Sequence, residues 1–279
     1  MVSIFGSNLY SAYTNGSSVT MIYTNGVKVW PDNPVPPGEY YVKWTPTGLS
    51  GSFIMGGETR WLQDYSGLYT GPFMSHTGTT YAYIDEYAFQ STGVVYIETN
   101  ADIIDFCAFK SCSSLIYVSA TCKATDNAAF EDCSSLRTIN FPLCNKFNPY
   151  TFRRCINLLN VSAPNVAVLE NGVFYNCTNL HELILPKCRF VGEWGMLNCN
   201  KLSYAELGVC SVIGQQAFAN CINLSALTIG YSGVCSFYQS CFQNTPNLSV
   251  IYVPLEWVSA YQSTYSYTAP SYFQPIPNN

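Results

Sequence analysis

The chain has 279 residues, 12 basic against 17 acidic, a formal charge of −5, and only 10% of its residues are charged. That balance excludes a nucleic-acid partner held through its phosphates, which requires a basic face. No apolar run reaches the roughly 18 residues that carry a helix across a bilayer, so no membrane insertion is expected.

Residues 1–36 stand apart from the rest. Ala12-Tyr-Thr-Asn15-Gly16 and Ile22-Tyr-Thr-Asn25-Gly26-Val-Lys-Val-Trp30 repeat a ten-residue unit, and Ile4-Phe-Gly-Ser-Asn-Leu-Tyr10 is a weaker copy. Asn-Gly between alternating apolar residues signals a hairpin, because both residues tolerate positive φ. Hairpins this short bury no core of their own, which predicts a small β-hairpin attachment module that a partner surface completes. The first residues lack the basic segment and apolar core of a secretory signal, so folding in a cytoplasm is expected. Asp32-Asn-Pro-Val-Pro-Pro-Gly38 reads as a stiff spacer. Within residues 37–80, strands are expected at Tyr40–Trp44, Ser52–Met55 and Thr59–Leu62, forming an N-terminal cap for the region that begins at residue 81.

Residues 81–254 are periodic. Phe109-Lys-Ser-Cys112-Ser-Ser-Leu115 returns around Leu136, Leu158, Leu180, Leu202, Leu224 and Leu248, at steps of 21, 22, 22, 22, 22 and 24 residues. A shorter copy around Phe89 precedes them. After each leucine the third and usually the fifth residue are apolar (Val118 and Ala120, Ile139 and Phe141, Leu183 and Leu185), the alternation of a half-buried strand. A second apolar file lies five residues before the phenylalanine: Ile84, Ile104, Thr125, Phe147, Leu169, Val191, Ile213 and Phe237. A short helical turn is expected between the two. One coil cannot bury such a face, so stacking has to supply the core.

The period also explains most of the 13 cysteines. Cys112, Cys133, Cys155, Cys177, Cys199 and Cys221 form one file. Cys122, Cys144, Cys188 and Cys210 form another, with Val166 on the missing rung. Small buried thiols behave as compact apolar rungs. Parallel side chains do not provide the dihedral of a disulfide, so reduced thiols are expected.

The repeat, read as apolar-x4-Phe-x2-Cys-x2-Leu-x2-Ile-x-Ile-Pro, resembles the BspA-like leucine-rich-repeat family. That resemblance implies a mainly β fold: a parallel β solenoid of about eight coils of 20–24 residues with short helical turns, preceded here by the hairpin module. It also implies binding of other macromolecules, often as a surface adhesin, and brings no catalytic residues. Ile22-Tyr-x-x-Gly26-x-x-Val-Trp30-Pro31 resembles the N-terminal segment of bacteriophage and prophage structural proteins. Together the two imply a virion component attached through residues 1–36, whose solenoid binds a host-surface protein or glycan. A bacterial cell-surface adhesin and an intracellular interaction scaffold are the alternatives, and a homo-oligomer is compatible with each.

In residues 255–279, the C-terminal cap and tail, Trp257 and Tyr261 are one helical turn apart on a short helix, and the proline-bearing tail from Tyr267 is extended. Cys177 and His181 lie four apart, but Cys177 is a repeat rung and His181 starts a strand, so neither catalysis nor a cofactor is expected. Cys107 and Cys112 lack the second pair a zinc site needs. What remains is the outward face of the strands, second and fourth after each leucine. Tyr96, Glu98 and Tyr117 are expected to make one aromatic–acidic patch there. Glu182, Tyr204, Glu206 and Tyr252 extend the candidate ligand-binding face.

Overall fold

The computed structural model describes residues 103–277 apart from 239 and 266–269, together with strand segments nearer the N-terminus. Strands β1 (Tyr10–Ser11), β2 (Ile22–Thr24) and β3 (Val27–Trp30) form a three-stranded antiparallel sheet. Thr24 pairs with Val27, so the strands expected on either side of Asn25 and Gly26 do pair. The proline-rich spacer at 32–38 lies outside the described residues.

Next come β4 (Tyr40–Thr45), β5 (Gly48–Met55) and β6 (Glu58–Leu62), an antiparallel meander. They are followed by the pair β7 (His76–Thr77) and β8 (Tyr81–Ile84). From β9 (Val94–Thr99) onward each coil contributes one longer strand and one two-residue strand. The coils run β9 with β10 (Ile103–Ile104), β11 (Tyr117–Ala120) with β12 (Ala124–Thr125), and β13 (Thr138–Asn140) with β14 (Lys146–Phe147). They continue with β15 (Asn160–Ser162) and β16 (Val168–Leu169), then β17 (Glu182–Leu185) and β18 (Phe190–Val191). The last are β19 (Tyr204–Leu207) with β20 (Val212–Ile213), β21 (Ala226–Ile229) with β22 (Ser236–Phe237), and β23 (Val250–Val253). Helix α1 (Val258–Thr264) and β24 (Phe273–Pro275) close the chain.

The two-residue strands form one unbroken nine-stranded sheet from β22 back to β7, parallel throughout except at β7. The longer strands do not. β15, β13, β11 and β9 pair in parallel and continue into β4, β5 and β6, whereas β17, β19, β21, β23 and β24 form a separate sheet. The fold is thus the mainly β parallel solenoid that the repeat predicts.

The third side of each coil is the Phe–Cys turn. Where the sequence suggests a helical turn, only alternate amides bond within the coil. Lys110 N–H donates to the Cys107 carbonyl at 3.0 Å, while Phe109 and Ser111 donate to Ala129 and Glu131 of the next coil at 2.7 Å each. Two residues per turn hold positive φ so that their amides can point along the stack, for example Ala128 and Asp132 or Trp194 and Asn198. Asparagine tolerates that conformation well. Asn198, Asn220 and Asn244 each also donate a side-chain amide to the preceding asparagine oxygen at 2.8 Å.

Inside, the leucines and the residues three and five after them are buried, apart from half-buried Val161, as are Phe109, Phe130, Phe152 and Phe174. These four rings stack in series with centroids 5.0, 5.4 and 5.6 Å apart. All thirteen cysteines are buried. The thiols of Cys133, Cys155, Cys177, Cys199 and Cys221 donate to the carbonyl of the Phe-position residue one coil earlier, at 3.1–3.2 Å. This is why the position takes cysteine and not another small apolar residue: it fills the rung and also donates to a buried carbonyl. Where the strand ends without proline, glycine is required by close approach. A Cβ on Gly208 would sit 1.9 Å from the Pro186 carbonyl oxygen.

The C-terminal cap works mainly through tyrosine. Tyr261 is buried as expected, and Trp257 packs partly against the core. The Tyr261 hydroxyl accepts from the Cys235 amide at 2.8 Å. The Tyr265 hydroxyl accepts from the Phe237 amide at 3.0 Å and donates to the Cys235 carbonyl at 2.7 Å. Two phenols thereby satisfy backbone groups around β22, the last strand of its sheet, which would otherwise be orphaned. The tail is extended over β24, which pairs in parallel with β23 and covers the other sheet edge.

Candidate binding face

Parallel pairing in register places equivalent outward positions side by side. In the first sheet Tyr96, Tyr117, Thr138 and Asn160 form one file, and Glu98, Ser119, Asn140 and Ser162 the other. The meander extends both files, because Tyr41 pairs with Tyr96 and Lys43 with Glu98. In the second sheet Glu182, Tyr204, Ala226 and Val250 form one file, and Ile184, Glu206, Thr228, Tyr252 and Gln274 the other. The seven residues expected on one face therefore divide between two sheets: Tyr96, Glu98 and Tyr117 in the first, Glu182, Tyr204, Glu206 and Tyr252 in the second. Side-chain placement of Tyr96 and Glu98 lies outside the described residues.

The division falls between β15 and β17. Val161 is half-buried there, although Val118, Ile139, Leu183, Ala205, Leu227 and Ile251 in the same repeat position are all buried. The inward pair changes from Ile139 and Phe141, through the small Val161 and Ala163, to Leu183 and Leu185. A step in volume does not by itself interrupt pairing, since β11 with Val118 and Ala120 pairs with β13, and β13 with β15, in unbroken register. The turn side remains bonded across the same coils, with Arg154 N–H donating to the Tyr175 carbonyl at 2.7 Å.

In the second sheet Tyr204 is held from two directions. Its hydroxyl donates to Glu206 Oε2 at 3.3 Å and shares a hydrogen bond with Thr228 Oγ1 of the next coil at 3.0 Å. Reaching Thr228 takes the ring diagonally across the strands, over the register position of Ala226, whose methyl leaves room for it. Burial raises the phenol's pKa above its ordinary value, with Thr228 opposing that shift and the neighbouring Glu206 and Glu182 adding to it. In the first sheet the outward contacts include two from amide to hydroxyl: Asn140 Nδ2 to Ser119 Oγ at 3.1 Å and Asn160 Nδ2 to Thr138 Oγ1 at 3.3 Å.

The pair Cys177 and His181 does not form a nucleophile and base. The thiol is buried and donates to the Phe152 carbonyl, and burial holds its pKa well above the ordinary value, while His181 is exposed. Among the described residues, no group of three or more His, Cys, Asp or Glu is placed to hold a metal. Sequence reasoning missed an ionic cluster on the turn side. Glu131, nearly buried, takes Lys110 at 2.8 Å, Arg153 at 3.1 Å and Arg154 at 3.2 Å, and Arg154 also pairs with Asp132. The Arg153 guanidinium lies 5.3 Å from the ring centroids of both Tyr150 and Tyr175. These side chains clasp consecutive coils. The signal was legible as opposite charges one period apart.

Stacked coils, an apolar interior of repeat positions and an outward strand face of mixed, mostly polar and aromatic residues define a leucine-rich-repeat solenoid. The chain belongs to the BspA type leucine rich repeat region family, which it matches over residues 76–159 and 145–270. Among solved structures it is similar to a leucine-rich repeat protein of T. pallidum, at 23% identity over 63% of this chain and 88% of that one, TM-score 0.52. It is also similar to a leucine-rich repeat protein from Bacteroides ovatus, at 20% identity over 70% and 69%, TM-score 0.38. A third is a leucine rich cell surface protein from Faecalibacterium prausnitzii, at 14% identity over 80% and 71%, TM-score 0.36. At these identities the likeness concerns the fold alone. No curated protein matches the chain. The family match begins at residue 76, so the bacteriophage resemblance of residues 1–36, and the virion placement drawn from it, gains no support.

Proposed function

We propose that this chain is a non-catalytic adhesin-type module that acts at a cell surface and binds a protein or glycan of another surface through its outward strand face. The observation that carries the reading is the contrast between inward and outward positions of the same strands. Inward ones are apolar and, except for half-buried Val161, buried coil after coil, while outward ones carry Tyr117, Thr138, Asn160, Glu182, Tyr204, Glu206, Thr228 and Tyr252, with the apolar Ile184, Ala226 and Val250 among them. Tyrosine with hydroxyl and amide neighbours provides contact area at low entropic cost. Membership of the BspA type family supports the adhesin assignment over the virion one. The test is binding of the full chain to intact cells and to immobilised matrix proteins. Tyr117→Ala and the double change Tyr204→Ala with Tyr252→Ala serve as face variants, and Leu143→Ser, 58% exposed away from that face, as control. Loss of at least about tenfold in affinity in a face variant, with the control unchanged, is expected. Equal binding by all four proteins overturns the reading.

A further inference from the structure

The second sheet carries a patch built around a tethered tyrosine. Tyr204 is pinned at its hydroxyl by Glu206 and by Thr228. Its ring is therefore set along the sheet, because a ring standing upright could not bring the phenol to a threonine two residues further on in the next coil. Tyr252 pairs in register with Thr228, and Gln274 with Tyr252. Tyr204 and Tyr252 are separated by two strand steps and two residues, about 12 Å between backbones. Hydroxyl, carboxylate and amide groups lie between and around the two rings.

The charges here have one sign. Glu182 and Glu206 flank Tyr204, and none of the outward positions of β17, β19, β21, β23 and β24 is Lys or Arg. Two carboxylates without a cation beside them repel an anionic ligand and accept hydroxyl donors. A tethered ring presents its electron-rich face to polarised C–H groups without loss of rotamer freedom on binding.

We infer that Tyr204 and Tyr252, with Glu206, Thr228 and Gln274 between and beside them, form a subsite for a neutral oligosaccharide. The saccharide lays the C–H face of a ring on Tyr204 and directs its hydroxyls to Glu206 and Gln274. This deepens the proposed function and rests on its reading of the strand face.

The probes are lactose, cellotetraose, chitotriose and maltotriose, with sialyllactose as the charged counterpart of lactose, followed by saturation-transfer NMR and titration on the full chain. At least one neutral probe binds, and sialyllactose binds more weakly than lactose. Tyr204→Ala weakens the binding at least about tenfold. Tyr204→Phe, which keeps the ring and releases the tether, weakens it less. Circular dichroism and melting of each variant establish that it is folded. Absence of binding by every neutral probe, or undiminished binding by folded Tyr204→Ala, overturns the subsite. Cell adhesion that is lost in the face variants but insensitive to glycosidase treatment of the target overturns the saccharide and leaves the binding face standing. Adhesion unchanged in the face variants removes both. Preference for an oligolysine peptide that is lost in Glu206→Gln identifies a basic protein partner and likewise overturns the saccharide.

Discussion

The turn side and the longer-strand side of this solenoid are built from the same coils at the same period, yet one is continuous and the other is broken. On the turn side, backbone amides and the Cys177 thiol bond to the neighbouring coil across the same junction where β15 and β17 fail to pair. The turn side spends its residues on holding coils together. The longer strands bond to one another outwardly only through side chains that stay at the surface, and their sheet is interrupted after β15. Cohesion and recognition are thereby assigned to different sides of one stack, and each side can be perturbed without the other.

The largest effect expected from this contrast is alkaline collapse of the turn side. Burial pushes the thiols of Cys155, Cys177 and Cys199 well above their ordinary pKa, and those of Cys221 and Cys241 up to about 12. In an unfolded chain they ionise near pH 8.5. A raised folded-state pKa means that the stabilisation is intact below about pH 8.5 and is lost as pH rises from there toward 12. Each thiol then costs about 1.4 kcal/mol per pH unit, and five together about 7, comparable with the whole stability of a domain. Circular dichroism should show cooperative unfolding by about pH 10.5. A chain still folded at pH 11 would break the assignment. At neutral pH a thiol reagent should leave the native protein unlabelled and react with at least ten of the 13 cysteines after denaturation without reductant.

A smaller effect separates inward from outward residues. Phe152→Ala removes a fully buried ring from the stack and should cost about 3–5 kcal/mol in denaturant unfolding. Tyr252→Ala on the outward face should stay within about 0.5 kcal/mol. Similar losses at both positions would show that the face is part of the core. The smallest signal needs no mutation. Hydrogen exchange at Val161 and Ile184, whose amides face the break from either side, should be faster than at Ile139 and Glu206, where the ladder is complete. Uniform protection across these four amides would mean that the sheet is continuous in solution.

Most of the architecture was legible before any coordinate. The inward files, the two cysteine files, the cap strands around Tyr40, Ser52 and Thr59, and Tyr261 in the C-terminal cap all derive from local pattern. Each coil meets only its neighbours, so a position repeated every 22 residues or so has the same surroundings each time. The candidate face was legible as a set of outward residues but not as two groups.

The sequence by itself therefore determined the period, the inward or outward direction of the strand positions that follow each repeat leucine, and the residues available for recognition. Only the tertiary structure decided where the longer-strand sheet breaks, that Tyr41 and Lys43 stand in register with Tyr96 and Glu98, that Tyr204 is tied to Thr228 across Ala226, and that Tyr261 and Tyr265 finish the end of the stack. The physical reason is that periodic features repeat one set of nearest-neighbour contacts. These others depend on one particular pair of neighbouring coils, or arise where a segment outside the repeat pairs with it, and no single copy records either.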